Sequence, residues 1–208
     1  DIFPDHHEEQ TLRETIGHLP PLKQMGEIWD KDLYHAFRKY DEKMLPWIEK
    51  LKEGQGAFDN EDPARRPYHV VDGVRVPNVE KNGDKYTRQY WDKVAPCIHT
   101  RNDILASQNT VHPVDNRVFS IRELMLMMSI PSTFEWYFVP FKQLNELPME
   151  EKEKYLKKQG INIRQNIGEA VPTTIFYQIA KKIAFLSNHL LDEAEILHVI
   201  RQEKLDDS

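Results

Sequence analysis

The apolar pattern of this chain changes period along its length, and that change narrows the available folds more than any other feature. From Asp30 to Gly54, Leu33, Phe37, Tyr40, Met44, Leu45, Ile48 and Leu51 recur at three- and four-residue spacing. That spacing predicts a long helix, bent or split at Pro46 and stopped by Gly54. Glu53 to Pro67 then collects Gly, Asn, Asp and Pro, as a loop does. Between Tyr68 and Ile98 the pattern shortens to β-branched runs, His69-Val70-Val71 and Val74-Arg75-Val76, broken at Asp72-Gly73 and Asn82-Gly83. Both dipeptides are hairpin signals, because the favoured two-residue turn needs positive φ at each central position. Helical spacing returns at Ser120, where Glu123 three residues later completes a capping box ahead of Leu124-Met125-Leu126-Met127-Met128, and Pro131 ends the run. Met149 to Gln159 reads as a charged helix stopped by Gly160. A last helix is expected from about Thr173 to Leu191, with Ile175, Phe176, Ile179, Ile183 and Leu186 on one face, and Asp192 to Glu203 continues it after a break. The class is α+β, short hairpins flanked by helices.

With 208 residues, 39% of them hydrophobic, the chain can bury a real core. Cys97 is the only cysteine. An internal disulfide and a cysteine-rich zinc site are therefore excluded, and a reducing, cytoplasmic setting is expected. The longest apolar stretch, Ile121 to Ile130, is interrupted by charge and falls short of the roughly 20 residues that a membrane span needs. The chain opens on Asp1 with no leader-like segment, which reads as an excised piece with something upstream missing.

The formal charge of −6 argues against indiscriminate nucleic-acid binding, yet the charge is unevenly spread. From Arg65 to Arg101, eight cations (Arg65, Arg66, Arg75, Lys81, Lys85, Arg88, Lys93, Arg101) face four carboxylates, so this segment is +4 and the remainder −10. Tyr68, Tyr86, Tyr90 and Trp91 lie among those charges. The mixture suits phosphate contact and base stacking, and equally a solvated basic loop.

Other constellations carry no chemistry. Asp5-His6-His7-Glu8 is a terminal polar segment whose adjacent side chains cannot all face one metal ion. His18, His112 and His189 read as capping or surface histidines. There is no Gly-rich phosphate loop, no Gly-X-Ser-X-Gly elbow and no paired-carboxylate arrangement. No metal site and no catalytic residue is expected in this chain.

Two segments taken together are more specific. The run from His112 to Leu124, His-Pro-Val-Asp-Asn-Arg-Val-Phe-Ser-Ile-Arg-Glu-Leu, followed by Ile130-Pro131-Ser132-Thr133-Phe134, resembles the ninth motif of DNA cytosine-5 methyltransferases. Asn166-Ile167-Gly168-Glu169-Ala170-Val171-Pro172 resembles the tenth, in the same order along the chain. Trp91 to Thr100 is similar to the end of that family's recognition region. The likeness covers roughly Tyr90 to the C-terminus. Glu169 and Asn166 replace the family's usual Asn and Gln, Ile130 its Phe, and Cys97 its Thr. Pro96-Cys97 repeats two letters of the family's catalytic Pro-Cys-Gln, but Ile98 follows it and the Gly-rich lead-in is missing.

The resemblance implies a C-terminal, DNA-reading part of a bacterial enzyme that flips a cytosine out of double-stranded DNA and methylates C5 from S-adenosylmethionine. The catalytic and Rossmann-like cofactor region would lie in a missing N-terminal domain, so this piece alone is expected to be inactive. Residues 1–60 would be a helical lead-in, 61–163 the recognition domain with its ninth-motif segment at 117–134, and 164–208 the tenth-motif segment and terminal helices. Arg65, Arg66, Lys85, Arg88, Cys97, Ile98, His99, Thr100 and Arg101 would face DNA. Arg117, Ser120, Arg122 and Glu123 would organise the domain. Gly168, Glu169, Ala170 and Val171 would close on the cofactor with backbone groups at a helix N-terminus. A non-enzymatic DNA- or partner-binding module is the alternative.

Overall fold

The computed structural model describes residue 3, residues 8–79 and residues 84–188. One compact unit runs from Glu9 to Ala170, and a second comprises Asp1–Glu8 with Val171–Ser208. The expected boundaries at 60/61 and 163/164 both fall inside the first unit. The Asp5 to Glu8 cluster (Glu8 apart), Lys81, the Asn82-Gly83 turn, His189 and the continuation from Asp192 to Glu203 lie outside the described residues.

The first unit is α+β, with two separate two-stranded antiparallel ribbons among helices. Helix α1, Leu12–Ile16, starts from a capping box in which Thr11 and Glu14 satisfy each other's backbone N–H groups. The ribbon β1–β2 joins Ile28–Trp29 to Asp32–Ala36. Here the expected long helix from Asp30 fails. Leu33, Tyr34 and His35 are consecutive and all buried, a demand that a strand closed on both faces meets and a one-faced helix does not. Helix resumes with a 3-10 turn at Glu42–Met44 that leads into α2, Leu45–Ile48, with Pro46 in its first turn, where a missing N–H costs nothing. Gly54 has φ of 78°, and a Cβ there would run into the Tyr90 hydroxyl.

The second ribbon bears out its sequence signal. Strands β3, Tyr68–Val71, and β4, Val74–Pro77, pair in full register across Asp72 and Gly73, whose φ values are 49° and 80°. Both signs match the tight hairpin turn. Val70, Val71, Val74 and Val76 are exposed.

Helix α3, Ile121–Met127, begins at the predicted Ser120–Glu123 capping box and ends before Ile130 and Pro131. Helices α4, Phe141–Asn145, and α5, Met149–Glu169, follow. Gly160 does not stop α5. It lies buried in mid-helix, and the helix continues to Glu169. Among the described residues two apolar cores form. Leu12, Leu33, Tyr34, Phe119, Leu124 and Ile163 belong to the first, between α1, β2, α3 and α5. Trp47, Ile48, Tyr86, Leu105 and Val118 belong to the second, around α2.

In the second unit, residues 173–188 are helical. Ile175, Phe176, Ile183 and Leu186 of the expected apolar face are exposed, between 39% and 58%. Among the described residues no helix is long and apolar enough to cross a membrane.

Candidate functional site

The loop before α3 and the first turn of α3 hold a dense set of buried charges. Arg117 donates from both terminal nitrogens to Glu123, at 2.7 and 2.8 Å, and from Nε to Asp115 at 3.0 Å. Glu123 also accepts the Ser120 backbone N–H at 2.6 Å, while its own N–H reaches Ser120 Oγ. Arg117 and Glu123 are each 1% exposed. Burial opposes ionisation of Glu123, but the charge and hydrogen bonds of Arg117 hold its carboxyl below the usual range. The fork of a guanidinium matches a carboxylate at two points, so the pair fixes geometry as well as charge.

Two histidines seal this cluster. His112 Nδ1 accepts N–H groups from Val114 and Asp115, which places its ring proton on Nε2, 3.6 Å from Glu123 Oε1. A proton on Nδ1 would displace both donors, and burial pushes the imidazole down to about 4. His35, fully buried, donates from Nε2 to Pro20 O at 2.8 Å and receives the Ser120 hydroxyl on Nδ1 at 3.0 Å. Arg122 bonds Asp32 of β2 and lies over the rings of Tyr34 and Phe141, 5.7 and 5.1 Å from their centres. The cluster thus ties β2, the loop after Pro113 and α3 together.

A second knot joins residues 99–102 to α5. Asn102 Nδ2 donates to His99 O at 2.7 Å and Arg164 O at 2.8 Å, and Arg164 returns bonds to Asn102 and to Phe119 O. Gly168 lets the two backbones touch, since a Cβ there would lie 2.5 Å from His99 O. Sequence reasoning misses His35, Asp32, Asn102 and Arg164. Only Arg164 leaves a trace, one turn from Gly160 and beside Ile163 on a face that periodicity marks as apolar.

The expected DNA-facing residues divide. Arg88 does not belong among them: it is 3% exposed, and its terminal nitrogens donate to Ile48 O, His112 O, Asp115 O and Asn116 Oδ1. It is a core strut. Arg65 is bound to Glu49 and Pro46 O, whereas Arg66 is exposed and uses only Nε, on Asn60 O. Lys85 is half-buried beside its bridge to Gln108. Cys97, Thr100 and Arg101 are exposed, and Ile98 and His99 are half-buried. Arg101 spends one nitrogen on Asp103 at 3.0 Å. Of the interleaved aromatics, Tyr68 and Tyr86 pack edge-on against Trp47, so neither ring is a free stacking platform.

The four residues of the cofactor expectation lie at the junction between the end of one helix and the start of the next, which begins at residue 173. Gly168 and Glu169 are the last turn of α5 and Ala170 is its C-cap, with the Ala170 N–H consumed by Ile167 O. That is the negative end of a helix, not an N-terminal cradle of free N–H groups. Val171 is exposed. Among the described residues, no group of three or more His, Cys, Asp or Glu side chains could hold a metal ion.

No family model matches the chain. Across an alignment of 188 positions it is 30% identical to the Type II methyltransferase M1.HgaI of Avibacterium volantium, covering 83% of this chain and 44% of that protein. Across 184 positions it is 30% identical to the Type II methylase M.HgiDII of Herpetosiphon aurantiacus, covering 88% and 46%. The chain spans less than half the length of either relative. Over most of its own length it is similar to type II methyltransferases.

Proposed function

We propose that this chain is the DNA target-recognition half of a cytosine-5 DNA methyltransferase of a restriction–modification system. The observation that supports this most is the similarity to two type II methyltransferases along a chain in which the residues resembling a ninth motif are buried and bonded, Arg117 and Ser120 to Glu123 and Arg122 to Asp32. In this reading the cluster holds the loops that meet DNA. Charges that desolvated, each held by at least one bonded partner, leave their loops few alternative positions. Arg66, Lys85 and Arg101 supply phosphate contacts, and backbone and side-chain groups of residues 97–100 lie beside them in sequence. S-adenosylmethionine and the attacking cysteine belong to the part of the parent enzyme outside this chain. The chain's own residues bind and orient the duplex.

Binding of random duplexes across a salt series tests this. Removing one cation that neutralises a phosphate should reduce the slope of log affinity against log salt by about 0.9. Changing Arg66, Lys85 and Arg101 to Ala should flatten the slope, and Arg88→Gln should not, provided the variant folds. An unchanged slope in the triple variant would remove these cations from the DNA face and favour a partner-binding module.

A further inference from the structure

The geometry points to a second site, unrelated to DNA: the pocket between ribbon β1–β2 and helix α5 binds a small amphipathic anion, an apolar body carrying one carboxylate, sulfonate or phosphate. The pocket has a volume of about 460 Å³. That lies within the range of roughly 300–1,000 Å³ found for small-molecule sites. Its wall is apolar, made by Ile28, Tyr34, Phe37, Ile121 and Leu156.

Two features beyond size argue for an anion, and a third for a void kept open. Arg164, 3% exposed, lines the pocket, and its guanidinium donates to the neutral Asn102 O, Asn102 Oδ1 and Phe119 O. Among the described residues no carboxylate pairs with it. A buried cation with no carboxylate in bonding range is costly, and here burial and the nearby Arg38 push the guanidinium down to about 9 against the pull of the Asp103 and Glu123 charges. At the rim, Lys154 is taken by Glu150 and Glu151 and Arg38 by Asp103. Lys39, Lys157 and Glu153 also line the pocket and form no ion pair among the described residues, which leaves the rim and floor with net positive charge.

Gly160 is the third feature. In a helix interior glycine costs roughly 0.5–1 kcal/mol relative to alanine. Close packing does not require it here, because a Cβ at Gly160 would meet only Ile121 Cδ1 at 3.8 Å, an ordinary contact. What the missing side chain does is leave space, since Gly160 lines the pocket. The contrast with Gly168, where a Cβ would collide with backbone, separates a glycine kept for a void from one kept for close approach.

Calorimetric titration of the full chain with naphthalene sulfonate and with neutral naphthalenemethanol tests the site. The sulfonate should bind at least about tenfold tighter than the alcohol, a difference of about 1.4 kcal/mol. Gly160→Ala should raise the melting temperature yet weaken sulfonate binding, and Gly160→Leu should abolish it. Lys39→Glu with Lys157→Glu, both on the surface, should weaken the sulfonate and spare the alcohol. Equal affinity for both probes, no binding, or binding that survives Gly160→Leu would overturn the proposal. So would binding abolished instead by Phe176→Ser, which would move the probe to the exposed helix over residues 173–188. None of these readouts depends on methyl transfer, so failure here leaves the proposed function standing, and the reverse holds too.

Discussion

The buried cluster at the start of α3 and the exposed hairpin β3–β4 each carry a short sequence signature, yet they are built on opposite terms. In the hairpin, turn chemistry is decisive: Asp72 and Gly73 accept positive φ, the strands pair, and four valines remain in water. In the cluster, a similar length of chain gathers Arg117, Glu123, Ser120 and His112 against His35, all shielded from solvent. Apart from Tyr68, which packs on Trp47, a hairpin of that kind can change sequence without disturbing its neighbours. A desolvated ionic cluster cannot, because every group removed strands another.

That difference predicts a graded set of effects. Arg117→Ala should be the worst, since it leaves Glu123 buried without its partner; about 3–5 kcal/mol of stability should go, read by urea unfolding. A cost no larger than that of Arg75→Ala on the hairpin would erase the contrast. Next comes pH. The His112 imidazole titrates near 4 when folded against an ordinary 6.5, so below 6.5 the unfolded chain takes up a proton that the native one refuses. Stability should therefore fall as pH drops from about 6.5 to 4, by on the order of 3 kcal/mol. Glu123, held below its ordinary range, adds a further decrease as pH falls below its unfolded value. His112→Asn, whose side-chain oxygen can still accept the two backbone N–H groups, should flatten the first part of that profile. A profile identical to wild type would mean that His112 is not the titrating group.

Smaller effects should follow at the glycines. Gly168→Ala must push residues 99 and 100 off α5 and should cost about 1–3 kcal/mol. Gly73→Ala places a side chain at positive φ in open solvent and should cost about 1 kcal/mol, with the rest of the molecule unchanged by amide exchange. Cys97→Ser, at an exposed thiol, should leave stability within about 0.5 kcal/mol.

Local chemistry explains what is legible in the sequence. The Asp72-Gly73 turn and the Ser120–Glu123 box are completed by residues within three positions of each other, and both form as expected. The stretch from Asp30 to Gly54 misleads because Leu33, Tyr34 and His35 owe their burial to α3, α4 and residues near Pro20, which no local period encodes. Arg88 misleads for a related reason. Its charge suits a phosphate ligand, but its acceptors are four oxygens between 24 and 40 residues away along the chain. Gly160 reads as a helix stop in any short window, yet it sits buried in the middle of α5 beside a pocket that only the folded chain creates.

Cytosine-5 chemistry is the core of the proposed function, and the identity of the modified base tests it most directly. DNA incubated with the full-length protein and labelled S-adenosylmethionine should, after digestion to nucleosides, carry the label on C5 of cytosine. Label on an exocyclic amine of adenine or cytosine would contradict the account.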